Sequence, residues 1–503
     1  MAKLPRLGVC VLLLCLGAAA TPGHAQQPRP HVLNIAIDDL RASVGAYGDP
    51  HAQTPHLDRF AAEGVLFERA YVQQAVCAAS RASLLTGLRP TQTTVSYPYN
   101  DAFRGVISRE NPTFPSWFEA HGAWSRMIGK IHHQDAAEIE NNLDAPPISS
   151  RRPEGTWMDY AEPANAALAR AFSQAGKQEK DALTPPPAYE SAEVGDDGYV
   201  DGRNADLAVG FIREYAEAAA EAEAAGRSID PLFLSVGFVK PHLPFNAPQR
   251  YWDLYDPAEL PDHATPPPAG VPAYARATYE LAGQYDTREA ARDLPLPDDL
   301  ARTLTHGYYA CVSYVDAQVG EVLAALDEAG LAEDTVVVIW GDHGFHLGEN
   351  GMWGKHVNHE VATRAPLLFR GPGVPAGVRV AAPVEFLGIY PTLCELTGLT
   401  PPGHLEGESL VPLMRDPGGP AAADRVAVSE YGRGEDLHGW SVRTATHRYV
   451  KWRHTKQGVI FRELYDHRTD PGEQRNLADE QPALADELAD RLHAADPASR
   501  GPG

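Results

Sequence analysis

The sequence predicts an α/β protein: a large, mixed but mostly parallel sheet flanked by helices, with a smaller α+β subdomain at the C-terminal end. Three observations carry that reading. Strand-like apolar runs alternate with helix-periodic segments over most of the chain, the pattern of a parallel sheet covered on both faces. Four of those runs end in ionisable residues, and ligands of open α/β sheets bind just beyond the carboxyl ends of the strands. After about Asp424 the pattern changes to the period-two alternation of antiparallel strands, closed by one helix.

In chain order, MAKLPRLGVCVLLLCLGAAATPGHAQQ places Lys3 and Arg6 before an apolar run and small residues, the layout of a secretory leader over residues 1–25. The run is short for a membrane span, and Pro22 and Gly23 follow it. The mature protein is therefore expected in the periplasm or the medium, with no membrane insertion after leader cleavage. The first strand, HVLNIAI, runs into Asp38 and Asp39. VCAASRASLLTGLRP then sets Cys77 at the mouth of an apolar-periodic helix, where unpaired N–H groups and partial positive charge suit an anion. WSRMIGK ends in Lys130, with His132 and His133 just after. The stretch from about Ala136 to Asp206 reads as a loop-rich insertion, and IREYAEAAAEAEAAG as a surface helix with a solvated acidic face. PLFLSVGFVK ends in Lys240, ahead of His242; LPDHATPPPAGVPAY reads as a surface connection. DTVVVIWGDHG is the clearest strand and delivers Asp342 and His343. A catalytic unit over 26–415 is expected, then a linker in LMRDPGGPAAADRV. Over 424–503, GWSVRTATHRYVKW and RELYDHRTD predict antiparallel strands, and QPALADELADRLHAA the terminal helix.

A formal charge of −24 over 503 residues argues against nucleic acid or an anionic membrane as partner, because long-range repulsion opposes both. It leaves room for an anionic substrate, which responds to the local field of a pocket. Cys10 and Cys15 leave with the leader, so the mature chain keeps Cys77, Cys311 and Cys394. The last two sit in apolar helical patterns and read as core thiols, and there is no C-x-x-C zinc spacing.

Two subsets of residues carry the chemistry. Asp38, Asp39 and Asp342 offer hard oxygen ligands to calcium or magnesium, with His343 beside them. Arg81, Lys130, His133, His242 and Lys355 offer cationic groups for a tetrahedral oxyanion and groups for proton transfer. Each has a plainer reading alone: a helix cap for Asp38, a surface ion pair for each lysine, a structural role for each histidine. The basic segment RTATHRYVKWRHTK admits two readings, a face for an anionic polymer or half-buried strands with exposed basic positions.

CAASRASLLTG resembles the signature of the type I sulfatases, C-x-P-S-R followed by a helical L-T-G segment. NIAIDDLR, GKIHH, VKPHLPF, GDHGFHLGENGMWGK and ELYDHRTDPGEQRNLA extend the resemblance, in the family's order, over nearly the whole mature chain. Asp342-His343 and the K-P-H-x-P-F segment look most like the iduronate-2-sulfatase group. Ala79 stands where the signature has proline, a variation known in the wider family, and Leu88 where arginine is common after L-T-G.

The resemblance implies an alkaline-phosphatase/sulfatase-like fold and a sulfatase acting on a sulfated saccharide, with a 2-O-sulfated uronic acid as the leading substrate. It implies that a formylglycine-generating maturation enzyme oxidises Cys77 to Cα-formylglycine, whose hydrate supplies the attacking oxygen. Asp38, Asp39, Asp342, His343 and modified Cys77 match the metal positions, expected to hold Ca2+ or Mg2+. Arg81 and Lys130 match groups that hold the nucleophile, and His133 matches the histidine that assists release of sulfate. His242 and Lys355 match sulfate contacts, one of which protonates the departing oxygen. Asn100, Arg104, Phe345 and Trp353 fall where the group builds its sugar pocket. The competing readings are a phosphonate or phosphate ester hydrolase on the same scaffold, and a non-catalytic glycan-binding relative.

Overall fold

The computed structural model describes residues 29–93, 111–133, 187–276, 279–292 and 294–500. Its centre is a seven-stranded sheet of β1 (His31–Ile37), β2 (Val65–Phe67), β3 (Trp124–Gly129), β4 (Leu232–Phe238), β5 (Thr335–Gly341), β6 (Leu367–Arg370) and β7 (Val378–Val380). The spatial order is β7-β2-β6-β5-β1-β4-β3. Only β6 runs against the rest, pairing antiparallel with both β5 and β2.

The apolar strands are continuous because both faces are covered. Leu33, Ile35, Ile37, Val337 and Ile339 point into one core; Val32, Ala36, Val336, Val338 and Trp340 point into the other. Each leucine, isoleucine or valine among them contributes about 1.5–3 kcal/mol by leaving water. The helices are α1 (Pro55–Glu63), α2 (Cys77–Thr86), α3 (Val200–Ala224), α4 (Asp298–Glu328) and α5 (Pro482–Ala495). Side chains of α1, α3 and α4 fill the first core, and α2 the second. Ala79 and Leu88, the two departures from the signature, both pack in that second core. The long helix α3 begins at Val200, inside the stretch expected to be loop, and a strand at Tyr189–Ala192 precedes it. Residues 134–186 and the leader lie outside the described residues.

The C-terminal subdomain is an antiparallel sheet of β8 (Ala427–Arg433), β9 (Leu437–Arg443), β10 (His447–His454) and β11 (Gly458–Asp466), in that order. Helix α5 covers it, with Leu488 and Leu492 against Trp440, Val442, Tyr449 and Leu464. The two readings of the basic segment both need correction at its first half: Arg443, Arg448 and Lys451 of β9 and β10 are buried, while Arg453 is half-buried and Lys456 exposed. Arg443 and Arg448 pair with Glu360, and Arg448 also with Glu473. Cys311 and Cys394 are buried free thiols, as expected. Among the described residues, no helix is long and apolar enough to cross a membrane.

Candidate active site

The carboxyl ends of β1, β3, β4 and β5 meet at one place. Asp38 continues β1, its N–H bonded to the Phe238 carbonyl at 3.2 Å. Asp39 then takes a left-handed conformation (φ 57°), which aspartate tolerates better than most residues. The turn sends the two carboxylates to different partners. The Asp39 N–H donates to Asp342 Oδ1 at 3.0 Å across 303 positions of sequence, so the acidic pair and Asp342 share one site. Tyr308, from α4, steadies the turn by donating its hydroxyl to the Asp39 carbonyl at 2.7 Å.

Cys77 is the first residue of α2, and no side chain caps that helix start. Its Sγ lies 3.2 Å from His343 Nε2 and 4.0 Å from Asp39 Oδ1. The helix is buried throughout, so small residues dominate it, and Gly87 ends it in the left-handed region (φ 72°). One turn after Cys77, Arg81 spans two carboxylates: Nε to Asp342 Oδ2 at 2.8 Å and Nη2 to Asp38 Oδ1 at 3.1 Å. Its guanidinium also donates to the Lys130 and Ile131 carbonyls and lies 5.5 Å from the Trp340 ring.

Lys130 emerges where β3 and β4 approach closely. At Gly129 (φ 69°) a Cβ would sit 2.1 Å from the Gly237 carbonyl oxygen, so glycine is required there. The Lys130 ammonium contacts Asp38 Oδ2. Lys355 spends all three donors on carboxylates: Asp39 Oδ1 at 2.9 Å, Asp39 Oδ2 at 2.8 Å and Glu280 Oε1 at 2.8 Å. Both lysines are only 2% exposed, so neither is a surface ion pair. The loop after β4 is fixed by Asp201, which accepts the N–H groups of Val239 and Lys240. Lys240 in turn donates to the His242 and Pro244 carbonyls. That loop presents His242, with Nε2 3.9 Å from Glu280 Oε1.

Burial alone would raise the Asp38 carboxyl, but Lys130, His242 and Arg81 hold it well below the usual range. Asp39 and Asp342 go the other way: burial raises each, and the neighbouring Asp38 carboxylate adds to it. Burial also raises the Cys77 thiol, so as a plain cysteine it is a poor nucleophile. His133 falls to about 3 through burial and the positive charge of Lys130, and is neutral at ordinary pH.

Atoms of Asp38, Cys77, Asp342 and His343 lie within 4.8 Å of one another, as do atoms of Asp38, Asp39, Cys77 and His242. Two buried carboxyls strained as anions, with a third beside them, fit a hard divalent cation.

The structure thus gathers ten expected residues: Asp38, Asp39, Cys77, Arg81, Lys130, His133, His242, Asp342, His343 and Lys355. Phe345 is corrected. It is fully buried against Phe245 and Tyr308, a floor 5.8 Å beneath the Lys355 ammonium rather than a surface for a sugar. Trp353 is buried too, but it borders a cavity of about 590 Å³ with Leu347, Thr265 and Arg276. Asn100 and Arg104 lie outside the described residues. Glu280 and Tyr308 were missed: neither belongs to a recognisable motif, and only the fold brings them here.

The sulfatase family profile matches residues 30–399, and that of the N-sulphoglucosamine sulphohydrolase C-terminal region matches 348–496. Iduronate 2-sulfatase of Mus musculus is 32% identical over 86% of this chain and 86% of its own length. Among solved structures, the phosphonate monoester hydrolase of Agrobacterium radiobacter superposes with a TM-score of 0.68 at 22% identity, covering 93% of this chain and 95% of its own. A structure solved with its substrate D-glucosamine-2-N,6-O-disulfate gives 0.67 at 20% identity, covering 93% and 97%. These last two share the fold. With the profile spanning most of the sequence and the iduronate 2-sulfatase identity extending along it, the chain belongs to the sulfatase family and is a sulfuric ester hydrolase of the iduronate 2-sulfatase-like kind.

Proposed function

We propose that the protein is an exported sulfatase that removes sulfate from a saccharide, with a 2-O-sulfated uronic acid as the leading substrate. The observation that carries this reading is the convergence of Cys77, at an uncapped helix start, with three carboxylates and three buried cationic side chains. A sulfate ester repels nucleophiles by its negative charge. Offsetting that charge in a water-poor pocket is the main catalytic task. Asp38, Asp39, Asp342 and His343 would hold a divalent cation, with Ca2+ favoured over Mg2+, and the cation would supply further charge stabilisation. Oxidised to formylglycine, Cys77 would supply a hydrated aldehyde oxygen, a stronger nucleophile than its own buried thiol.

The remaining roles belong to the chain's own side chains. Arg81 and Lys130 fix Asp38 and Asp342 and offset part of their negative charge. His133, neutral through burial and beside Lys130, accepts a proton at the nucleophile end. His242 and Lys355, which meet at Glu280, are the two candidates to give the departing sugar oxygen its proton. Trp353 and the residues 100 and 104 are assigned to the sugar-binding rim.

A second reading, a phosphonate or phosphate ester hydrolase, draws support from the fold shared with the phosphonate monoester hydrolase. Rates on sulfate, phosphate and phosphonate esters of one leaving group separate the two. A larger kcat/KM on the sulfate is expected, and a larger value on either phosphorus ester would overturn the proposal. Mass spectrometry of the Cys77 peptide tests the nucleophile. The aldehyde or its hydrate is expected, and an active preparation holding only thiol would refute it.

A further inference from the structure

Glu280 lies on the short helix Tyr279–Gln284, outside every motif that marked the site. Its side chain is 10% exposed, and its two oxygens differ. Oε1 accepts from Lys355 at 2.8 Å and faces His242 Nε2 at 3.9 Å. Oε2 is buried and has no hydrogen-bond partner among the described residues. It lies against Gly354, where even a Cβ would come within 3.2 Å of it. A buried carboxylate oxygen without a donor costs on the order of 1–3 kcal/mol, so a ligand, an ion or a water is expected to complete it.

The place of that oxygen indicates the ligand. Lys355 bridges Asp39, on the cation side, and Glu280, on the other. On the reading proposed above, Lys355 and His242 attend the oxygen that departs with the sugar; Glu280, against both of them, then stands beside the leaving group. The leaving sugar can bring a donor there, because the group next to a sulfate ester on a sugar ring is a hydroxyl. The same carboxylate would repel a second sulfate on that neighbouring carbon.

We propose that Glu280 Oε2 accepts a hydrogen bond from the free hydroxyl adjacent to the sulfate ester, making Glu280 a specificity-determining residue for saccharides unsubstituted at that position. This rests on the saccharide reading above and narrows it. A site built to bond a hydroxyl discriminates strongly against the analogue that lacks it.

The test compares kcat/KM on a sulfated monosaccharide, its analogue deoxygenated at the adjacent carbon, and an aryl sulfate. The wild-type enzyme loses about tenfold or more on the deoxy analogue. In Glu280→Ala the hydroxylated and deoxy sugars are cleaved alike. The aryl sulfate reads the part of the loss, through Lys355, that every substrate shares. Glu280→Gln keeps the shape and one neutral acceptor, and it shows reduced discrimination if the alanine variant folds poorly. Unchanged discrimination in both variants, or none in the wild type, would overturn the contact while leaving the saccharide reading intact. Turnover of the aryl sulfate with none of the sugars would overturn both.

Discussion

Beyond the end of β1, Asp38, Asp39 and Asp342 crowd together with Arg81, Lys130 and Lys355. At the seam between the two sheets, Glu360 and Glu473 are buried with Arg443, Arg448 and His467. In both clusters carboxylate and imidazole atoms lie within 4.8 Å of one another. Their electrostatics are opposite. At the seam every carboxylate oxygen is matched: Tyr71 and the two arginines serve Glu360; Arg448, His467 and the Glu360 N–H serve Glu473. Despite burial, Arg443 and Arg448 hold Glu360 well below the usual range, and Arg448 and His467 bring Glu473 to about 2. In the active site, three cationic side chains face four carboxylates once Glu280 is included, and Asp39 and Asp342 are pushed up. The seam is a finished clamp. The candidate active site is left with carboxylate in excess, the charge a bound cation would balance.

The sharpest way to break this contrast is Cys77→Ala, expected to lower sulfate release by about a thousandfold or more while the thermal unfolding midpoint stays close to wild type. Arg448→Ala should do the reverse. It removes the cation shared by two buried glutamates and costs about 3–5 kcal/mol of stability, read by denaturant unfolding, while turnover per folded molecule holds. The seam also predicts an acid limb. The folded-state value of Glu473 lies below its ordinary 4.5, so its contribution is full above about pH 4.5 and is lost as pH falls toward about 2. That loss amounts to about 3 kcal/mol, and Glu473→Gln should remove this part of the pH dependence of unfolding. The smallest effect sharpens the comparison from outside: Arg213 and Glu328, 64% and 68% exposed, form a pair at 3.4 Å. Arg213→Ala should change stability by less than about 0.5 kcal/mol.

The parallel strands were legible because burial on both faces writes an unbroken apolar run, and their ends were legible because each releases an ionisable residue. The catalytic set was legible largely through its resemblance to a family, since no local pattern tells a buried lysine from a surface one. Lys130 and Lys355 read alone as surface ion pairs. Their burial follows from partners at Asp38 and Asp39, far away in sequence. The basic run of β9 and β10 misled for the same reason, its glutamate partners lying in other elements. Phe345 sits in a motif that faces the site, yet its ring packs into the core against Phe245 and Tyr308. Glu280 had no signal at all, because its neighbours Lys355 and His242 meet it only in the folded chain.

The most direct measurement is the metal content of purified wild-type, Asp342→Asn and Glu473→Gln proteins by elemental analysis. About one equivalent of calcium or magnesium per chain is expected in the wild type, lost from Asp342→Asn and kept by Glu473→Gln. An active wild-type protein without bound metal, or metal that survives Asp342→Asn and disappears with Glu473→Gln, would contradict the distinction between the two clusters.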